Sequence, residues 1–422
     1  MKRILLLCVV ALLLTACTKK EEEIKMNEMN TDFVGKWSGN IEIPNTPLPI
    51  IVELTKDAGT LSVPAQGLKY LPFQSITYDG DKVNISIDLK GMLIKITGEL
   101  KDEEIKATFT QNGGTFPLTL TRYEEQPVTY ETISIPVENG DLKIALEKPT
   151  EEKPSPVALI IAGSGPTDKD GNSVIGGKND SYKMLAEELA KEGIATIRYD
   201  KRGVGDNTEL FTKEEDVSFE LFVDDAVQII QYLQSNDAFT SVHVIGHSEG
   251  SLIGMLAAQK TDVDSFVSLA GAGRAIDELL LEQLAGQLSP ALTTEAKNAL
   301  AILKKGELVE KVSPELQGLF RPSVQPYMIS WLKYNPASII QKLEKRTLIV
   351  QGTNDIQVTV TDAEILKKAK KDATLLNVEG MNHVLKDAPT DRAGNLATYA
   401  NPKLPLHPEL LPAISDFIKN DQ

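Results

Sequence analysis

Two textures of apolar and polar positions divide the chain. From Asp32 to Arg122, apolar residues alternate with polar ones in short runs, as in K-V-N-I-S-I-D-L (82–89), L-I-K-I-T-G-E-L (93–100), I-K-A-T-F-T (105–110) and F-P-L-T-L-T (116–121). Turn-forming residues separate the runs at D-G-D (79–81), K-G-M (90–92), K-D-E-E (101–104) and N-G-G (112–114). A period of two sends every second side chain to the same face, so this spacing predicts a small antiparallel all-β domain over 31–123, a meander or small barrel. Trp37 reads as one of its core residues. The stretch E-E-Q-P (124–127) opens a linker that runs to 132.

From residue 133 strands alternate with helices. I-S-I-P-V (133–137) and L-K-I-A-L-E (142–147), joined across N-G-D (139–141), predict a hairpin. V-A-L-I-I-A-G (157–163) is continuously apolar, as a strand buried on both faces must be. Strands follow at 194–200, 242–246, 264–271, 346–352 and 373–380, with amphipathic helices at 181–192, 218–234, 249–260, 359–371 and 408–419. That alternation predicts an α/β domain over 133–422, a mostly parallel sheet with helices on both faces. Residues 274–345 break the alternation with helical patterns alone, at 276–288, 294–305 and 327–334. They predict a helical cap over the strand C-terminal edge, where ligands of such sheets bind.

Composition adds less. The 422 residues are 41% apolar and 25% charged, as in a soluble globular protein, and a formal charge of −16 argues against nucleic acid or anionic lipid as partner. The first sixteen residues stand outside the fold. Lys2 and Arg3 precede an apolar run from Ile4 to Leu14, too short to span a bilayer, and Thr15-Ala16-Cys17 follows, so the segment reads as a secretory signal. L-T-A-C (14–17) resembles a bacterial lipobox, which implies a lipid anchor at Cys17, a tether over 17–30 and residence in the bacterial cell envelope, facing the periplasm or the cell surface. The only cysteines are Cys8 and Cys17, so the mature domains hold no thiol for a disulfide, a nucleophile or a thiolate metal site.

Candidate chemistry centres on V-H-V-I-G-H-S-E-G-S (242–251). A G-x-S-x-G alone is common by chance, but here it falls at a predicted strand-to-helix junction, the setting that gives it meaning. Glycines on either side relieve crowding on a sharp turn and lift Ser248 clear of the sheet. A serine hydroxyl needs a base to take its proton, and the base needs an acid to hold its tautomer. Asp355 lies just past one later strand and His383 just past the next, so the chain order is Ser, Asp, His. His243 falls within a strand, His247 beside the serine with its ring expected to point away, and His407 in a proline-rich loop. Oxyanion donors are expected from the N–H groups of Glu249 and of Ser164 or Gly165, in A-G-S-G-P-T-D-K-D-G-N (162–172). Neither a phosphate-loop pattern, an EF-hand loop nor a His/Cys zinc set is present, so no metal or cofactor is expected.

These stretches, with R-Y-D-K-R-G-V-G-D (198–206), G-T-N-D-I-Q-V (352–358) and G-M-N-H (380–383), resemble the α/β-hydrolase superfamily. They are similar to bacterial carboxylesterases and serine-aminopeptidase-like hydrolases that carry an N-terminal β domain. The resemblance implies Ser248 as nucleophile, Asp355 as acid and His383 as base, with Asp200 and Arg202 bracing the site. Asp168, with Arg321 and Tyr327 of L-F-R-P-S-V-Q-P-Y (319–327), are candidates for the pocket. The expected activity is hydrolysis of small acyl or aryl esters through an acyl-enzyme. A peptidase or aminopeptidase of the same fold is the alternative, and a catalytically idle lipoprotein binding module the rival from another class.

Overall fold

A computed structural model of the protein describes residues 29–44, 47–64, 68–89, 92–123, 128–151, 153–173, 177–210 and 213–420. The signal, Cys17 and the start of the 124–132 linker lie outside the described residues. Contacts divide the chain into two compact units.

Residues 35–122 form a nine-stranded sheet. Its strands are β1 (Gly35–Ile41), β2 (Leu48–Leu54), β3 (Gly59–Val63), β4 (Leu68–Pro72), β5 (Ser75–Asp79), β6 (Lys82–Leu89), β7 (Met92–Lys101), β8 (Glu104–Gln111) and β9 (Gly114–Arg122). Strands β5 to β9 form a meander, β1 pairs with β9, and β2, β3 and β4 follow outward. The alternation decides which face is buried: Ile85 pairs with Ile96 and Ile96 with Phe109, and all three are buried. N-G-G turns β8 into β9 with positive φ at Asn112 (49°) and Gly113 (78°), as a tight hairpin requires. Trp37 is fully buried, its indole N–H donating to the Phe33 carbonyl at 2.7 Å, with Arg122 over its ring. Strands β2 to β5 escape the alternation reading because prolines at 47, 49 and 72 and their short lengths blur the period.

The second unit carries an eight-stranded sheet of β10 (Glu131–Val137), β11 (Gly140–Glu147), β12 (Ser155–Ile161), β13 (Ala195–Tyr199), β14 (Phe239–His247), β15 (Ser265–Leu269), β16 (Arg346–Gly352) and β17 (Thr374–Val378). The order is β10-β11-β13-β12-β14-β15-β16-β17, with β10–β11 and β11–β13 antiparallel and the pairs from β13 to β17 parallel. Its helices are α1 (Ser181–Lys191), α2 (Phe219–Gln234), α3 (Glu249–Lys260), α4 (Ile276–Leu284), α5 (Pro290–Leu303), α6 (Gln317–Phe320), α7 (Gln325–Trp331), α8 (Pro336–Ile340), α9 (Val360–Ala369), α10 (Arg392–Ala397) and α11 (Leu410–Lys419).

Successive residues of β12 supply two different cores. Val157, Leu159 and Ile161 pack with Phe219, Ile229 and Ile230 of α2 and Ile253 of α3. Ala158 and Ile160 face Leu185 and Leu189 of α1 and Ile414 and Ile418 of α11. Each such aliphatic side chain contributes about 1.5–3 kcal/mol when buried, so a sheet apolar on both faces needs helices on both.

Helices α4 to α7 fall between β15 and β16, as the cap reading expects, and share a core of their own around Leu279, Leu300, Leu303, Phe320 and Met328. Polar ties hold this insertion at the strand C-terminal ends. Arg274 makes a two-nitrogen contact with the buried Asp362, and Gln283 donates to the Gln357 carbonyl at 2.9 Å. Helix α8 instead joins the main core through Ile340.

Candidate active site

The order of β12, β13 and β14 reverses direction at β12, and crevices at such a reversal lie at the strand C-terminal ends. There β14 runs into α3 through a one-residue corner. Ser248 sits at φ 54°, ψ −121°, strained for a residue with a side chain. The flanking glycines are demanded by packing. A Cβ on Gly246 would lie 2.3 Å from the Gly250 carbonyl oxygen, and one on Gly250 would lie 2.2 Å from that of Ile161. Helix α3 can therefore start directly against β12, and the Ser248 N–H continues the ladder by donating to Leu269 O at 2.9 Å.

Asp355 and His383 meet where the chain order expects them. His383 Nδ1–H donates to Asp355 Oδ2 at 2.8 Å, and both residues are buried. Asp355 accepts three further hydrogen bonds: Oδ1 from the N–H groups of Gln357 (2.8 Å) and Val358 (3.0 Å), and Oδ2 from Gln351 Nε2 (3.2 Å). Four donors surround the carboxyl and fix its orientation. With Nδ1 protonated, the other ring nitrogen, Nε2, carries the lone pair of a neutral imidazole. Among the described residues neither that nitrogen nor Ser248 Oγ has a hydrogen-bond partner, a looseness common in sites without substrate.

His247 does not point away from this cluster as expected. Its ring lies 4.8 Å from that of His383, centroid to centroid, and Nε2–H donates to the His383 carbonyl at 2.8 Å. The Tyr182 hydroxyl donates to His247 Nδ1 at 2.7 Å and accepts the Gly163 N–H at 3.2 Å. Burial, followed by the neighbouring His383, pushes the His247 pKa down to about 3, so the ring stays neutral as this hydrogen-bond chain requires. The serine corner makes an outward-pointing neighbour the natural guess. The chance of a carbonyl donated by the loop after β17 was not legible in the chain.

The loop after β12 comes against the same corner. A Cβ on Gly163 would sit 3.1 Å from Ser248 Cβ, a closeness that favours glycine. Gly163 N–H is committed to Tyr182, whereas those of Ser164, Gly165 and Glu249 find no acceptor among the described residues. Ser164 and Gly165 are exposed, and Glu249 opens α3, whose N-terminal dipole end faces the corner. The arrangement offers unpaired donors beside a strained serine, with the His383 imidazole packed against the serine's chain neighbour His247; attack on a carbonyl needs such parts.

The remaining candidates are placed more variously. Asp168 accepts from the N–H groups of Asp170 (2.9 Å) and Asn172 (2.8 Å) and shapes the loop; burial, then Asp170, raises its pKa to about 7. Asp200 holds the Lys169 and Asp206 N–H groups, and Arg202 is paired with Asp225, so both brace the loops as expected. Arg321 is committed to Glu214 and to the Gly318 carbonyl. Tyr327, on α7, donates to Glu249 Oε2 at 2.6 Å and so reaches the elbow. Sequence reasoning assigned no role to Tyr182 and Gln351, which sit in no motif, nor to Lys201, although it lies within R-Y-D-K-R-G-V-G-D (198–206). Among the described residues no group of three His, Cys, Asp or Glu side chains is placed to hold a metal ion.

Comparison with known proteins identifies the family. The chain is similar to Esterase EstD of Thermotoga maritima, 29% identical over 276 residues, or 63% of this chain; the match covers 64% of that relative, just under two thirds of its length. Among solved structures it is similar to Est1E from Butyrivibrio proteoclasticus (TM-score 0.44, 20% identity, 69% of this chain and 98% of that one). It is also similar to the esterase domain of a Rhodothermus marinus protein (TM-score 0.43, 14% identity, 69% and 100%). The family model described as "Serine aminopeptidase, S33" matches residues 175–387, a span that takes in the elbow, the insertion, Asp355 and His383. With half of its length inside that match and an α/β-hydrolase sheet beneath it, the chain belongs to the serine aminopeptidase S33 family of α/β hydrolases.

Proposed function

We propose that the protein is a serine carboxylesterase acting on small acyl or aryl esters, with Ser248, His383 and Asp355 as its catalytic triad. Ser248 Oγ attacks the ester carbonyl carbon while His383 Nε2 takes the hydroxyl proton. Asp355 holds Nδ1–H and stabilises the imidazolium that forms. The N–H groups of Glu249 and of Ser164, with Gly165 beside it, receive the oxyanion. His383 returns its proton to the departing alkoxide, and a water activated by the same ring hydrolyses the acyl-enzyme.

The observation that carries this reading is the 2.8 Å bond from His383 to Asp355, with the His383 ring 4.8 Å from that of His247, the residue before a serine held at φ 54°. A relative named as an esterase supports it further. The family description favours a second reading, an aminopeptidase. Amide cleavage needs protonation of a poor amine leaving group, and an aminopeptidase also needs a free carboxylate for the substrate ammonium. The carboxylate next to the nucleophile, Glu249, already has both oxygens engaged, by Lys201 and Tyr327. That supports the ester.

Fluorophosphonate labelling and hydrolysis of short p-nitrophenyl esters, beside aminoacyl p-nitroanilides, test the proposal. Wild-type protein is expected to be labelled and to prefer the esters, and Ser248→Ala to lose label and about 10⁴-fold or more of the rate. An unlabelled wild-type protein, or a Ser248→Ala variant that still turns over esters, overturns it. A dominant anilidase rate selects the aminopeptidase.

A further inference from the structure

We infer that the buried Lys201–Glu249 ion pair is a clamp that positions both donors of the oxyanion site; the inference rests on the function proposed above. Lys201 follows β13 and Glu249 begins α3, so the two are far apart in sequence. Lys201 Nζ donates to Glu249 Oε1 at 3.0 Å and to the Gly163 carbonyl at 3.1 Å, with the Phe222 ring 4.4 Å away. Glu249 Oε2 accepts the Tyr327 hydroxyl at 2.6 Å. Only about 5% of either residue is exposed, too little for water to screen the pair.

The placement of these bonds is what gives them a role. One oxyanion donor is the N–H of Glu249 itself. The other is the N–H of Ser164, which shares its peptide unit with the Gly163 carbonyl that Lys201 holds. A single ammonium thus ties the peptide before Ser164 to the side chain of the residue that carries the other donor. The spacing between the donors is set by one charged contact instead of by two independent loops. Donors act on a transition state only when preorganised, and misplacement by about 1 Å costs on the order of 100-fold in rate.

The pair also decides the local field. A bare Glu249 carboxylate beside a developing oxyanion would oppose it, and Lys201 removes that penalty. Lys201 and Glu249 are therefore positioning residues. Tyr327 extends the clamp into the helical insertion, so the insertion holds the elbow as well as standing over it.

The test compares Lys201→Met, Glu249→Gln and the Lys201→Met/Glu249→Gln double variant in the full chain. Readouts are kcat and KM on a p-nitrophenyl ester and the affinity of a boronic acid, which forms a tetrahedral adduct on the nucleophile. Ser248→Ala is run first: wild-type hydrolysis that disappears in this variant establishes the function itself, and hydrolysis that persists is a failure of that function, separate from any result on Lys201. Lys201→Met is expected to lose about 100-fold in kcat with KM within about twofold, and boronate affinity should fall in step. The double variant, which leaves no unpaired charge and remains informative should Lys201→Met not fold, is expected to lose about tenfold or more in kcat and in boronate affinity. A folded double variant with kcat and boronate affinity within twofold of wild type overturns the clamp, because a merely structural pair would change the melting temperature and leave those two ratios alone.

Discussion

Asp355→Asn is the sharpest probe of the site, because the surroundings of the carboxyl dictate how the amide must lie. Oδ1 accepts two backbone N–H groups, from Gln357 and Val358, whose positions the turn fixes. An amide nitrogen placed there would meet two donors head-on, so the asparagine oxygen must take that side. Its NH₂ then faces Gln351 Nε2 and His383 Nδ1. Gln351 gains little by turning over, since its amide nitrogen also serves the Val358 carbonyl at 2.9 Å. The histidine has the easier response: it gives up the Nδ1 proton and becomes the Nε2–H tautomer. That tautomer offers Ser248 a donor where a base is needed. The loss expected from a wrong tautomer plus a lost carboxylate is about 10³–10⁴-fold in kcat, or about 4–5.5 kcal/mol of barrier. Shape and volume are conserved, so the unfolding midpoint should move little by comparison. Steady-state hydrolysis of a p-nitrophenyl ester by the variant, with thermal unfolding alongside, measures both. A variant within tenfold of the wild-type kcat would refute the claim that Asp355 sets the base.

Two other outcomes follow from packing and protonation. Gly250→Ala puts a Cβ 2.2 Å from the Ile161 carbonyl oxygen, so α3 must back away from β12; a destabilisation of about 1–3 kcal/mol and at least a tenfold loss of esterase rate are expected, read by thermal unfolding and the same assay. His247 and Asp168 should affect acid stability in opposite senses. With its folded pKa lowered to about 3, His247 stays neutral while the unfolded chain protonates, so stability falls by about 1.4 kcal/mol per pH unit below about 6.5. Asp168, raised to about 7, keeps its proton when folded, so its contribution is complete at low pH and is lost as pH rises from about 4 to 7. The two offset one another in the wild type. Asp168→Asn should therefore lose about 2 kcal/mol more than wild type between pH 7.5 and 5 in denaturant unfolding, and Asp168→Asn/His247→Gln should not; equal losses in both variants would count against it.

Much of this molecule was legible as a line of residues. Alternation in 82–121 identified four of the strands in the first sheet, and the elements from β10 to α11 fall close to their expected bounds. Helices α6, α8 and α10 were not foreseen, and neither were β2 to β5, where proline and short runs hide the period. The places of Ser248, Asp355 and His383 after β14, β16 and β17 could be read because a parallel sheet presents all its strand ends on one edge. Asp168, Arg321 and Tyr327 show the limit of that reading. The chain suggests all three for the pocket but not their partners: Asp168 is bound into its own loop, Arg321 pairs with Glu214, and Tyr327 reaches the elbow.

By itself the sequence determined periodicity, strand order of the candidate triad and the glycines of the elbow, because each follows from neighbours in the chain and from backbone sterics. Only the tertiary structure decided who holds these groups in place. Tyr182 and His247 join the loop after β12 to the loop after β17, Lys201 joins Gly163 to Glu249, and Gln351 backs Asp355. Those bonds join side chains from different strands and loops, and a hydrogen bond depends on distances of tenths of an ångström that no spacing along the chain encodes.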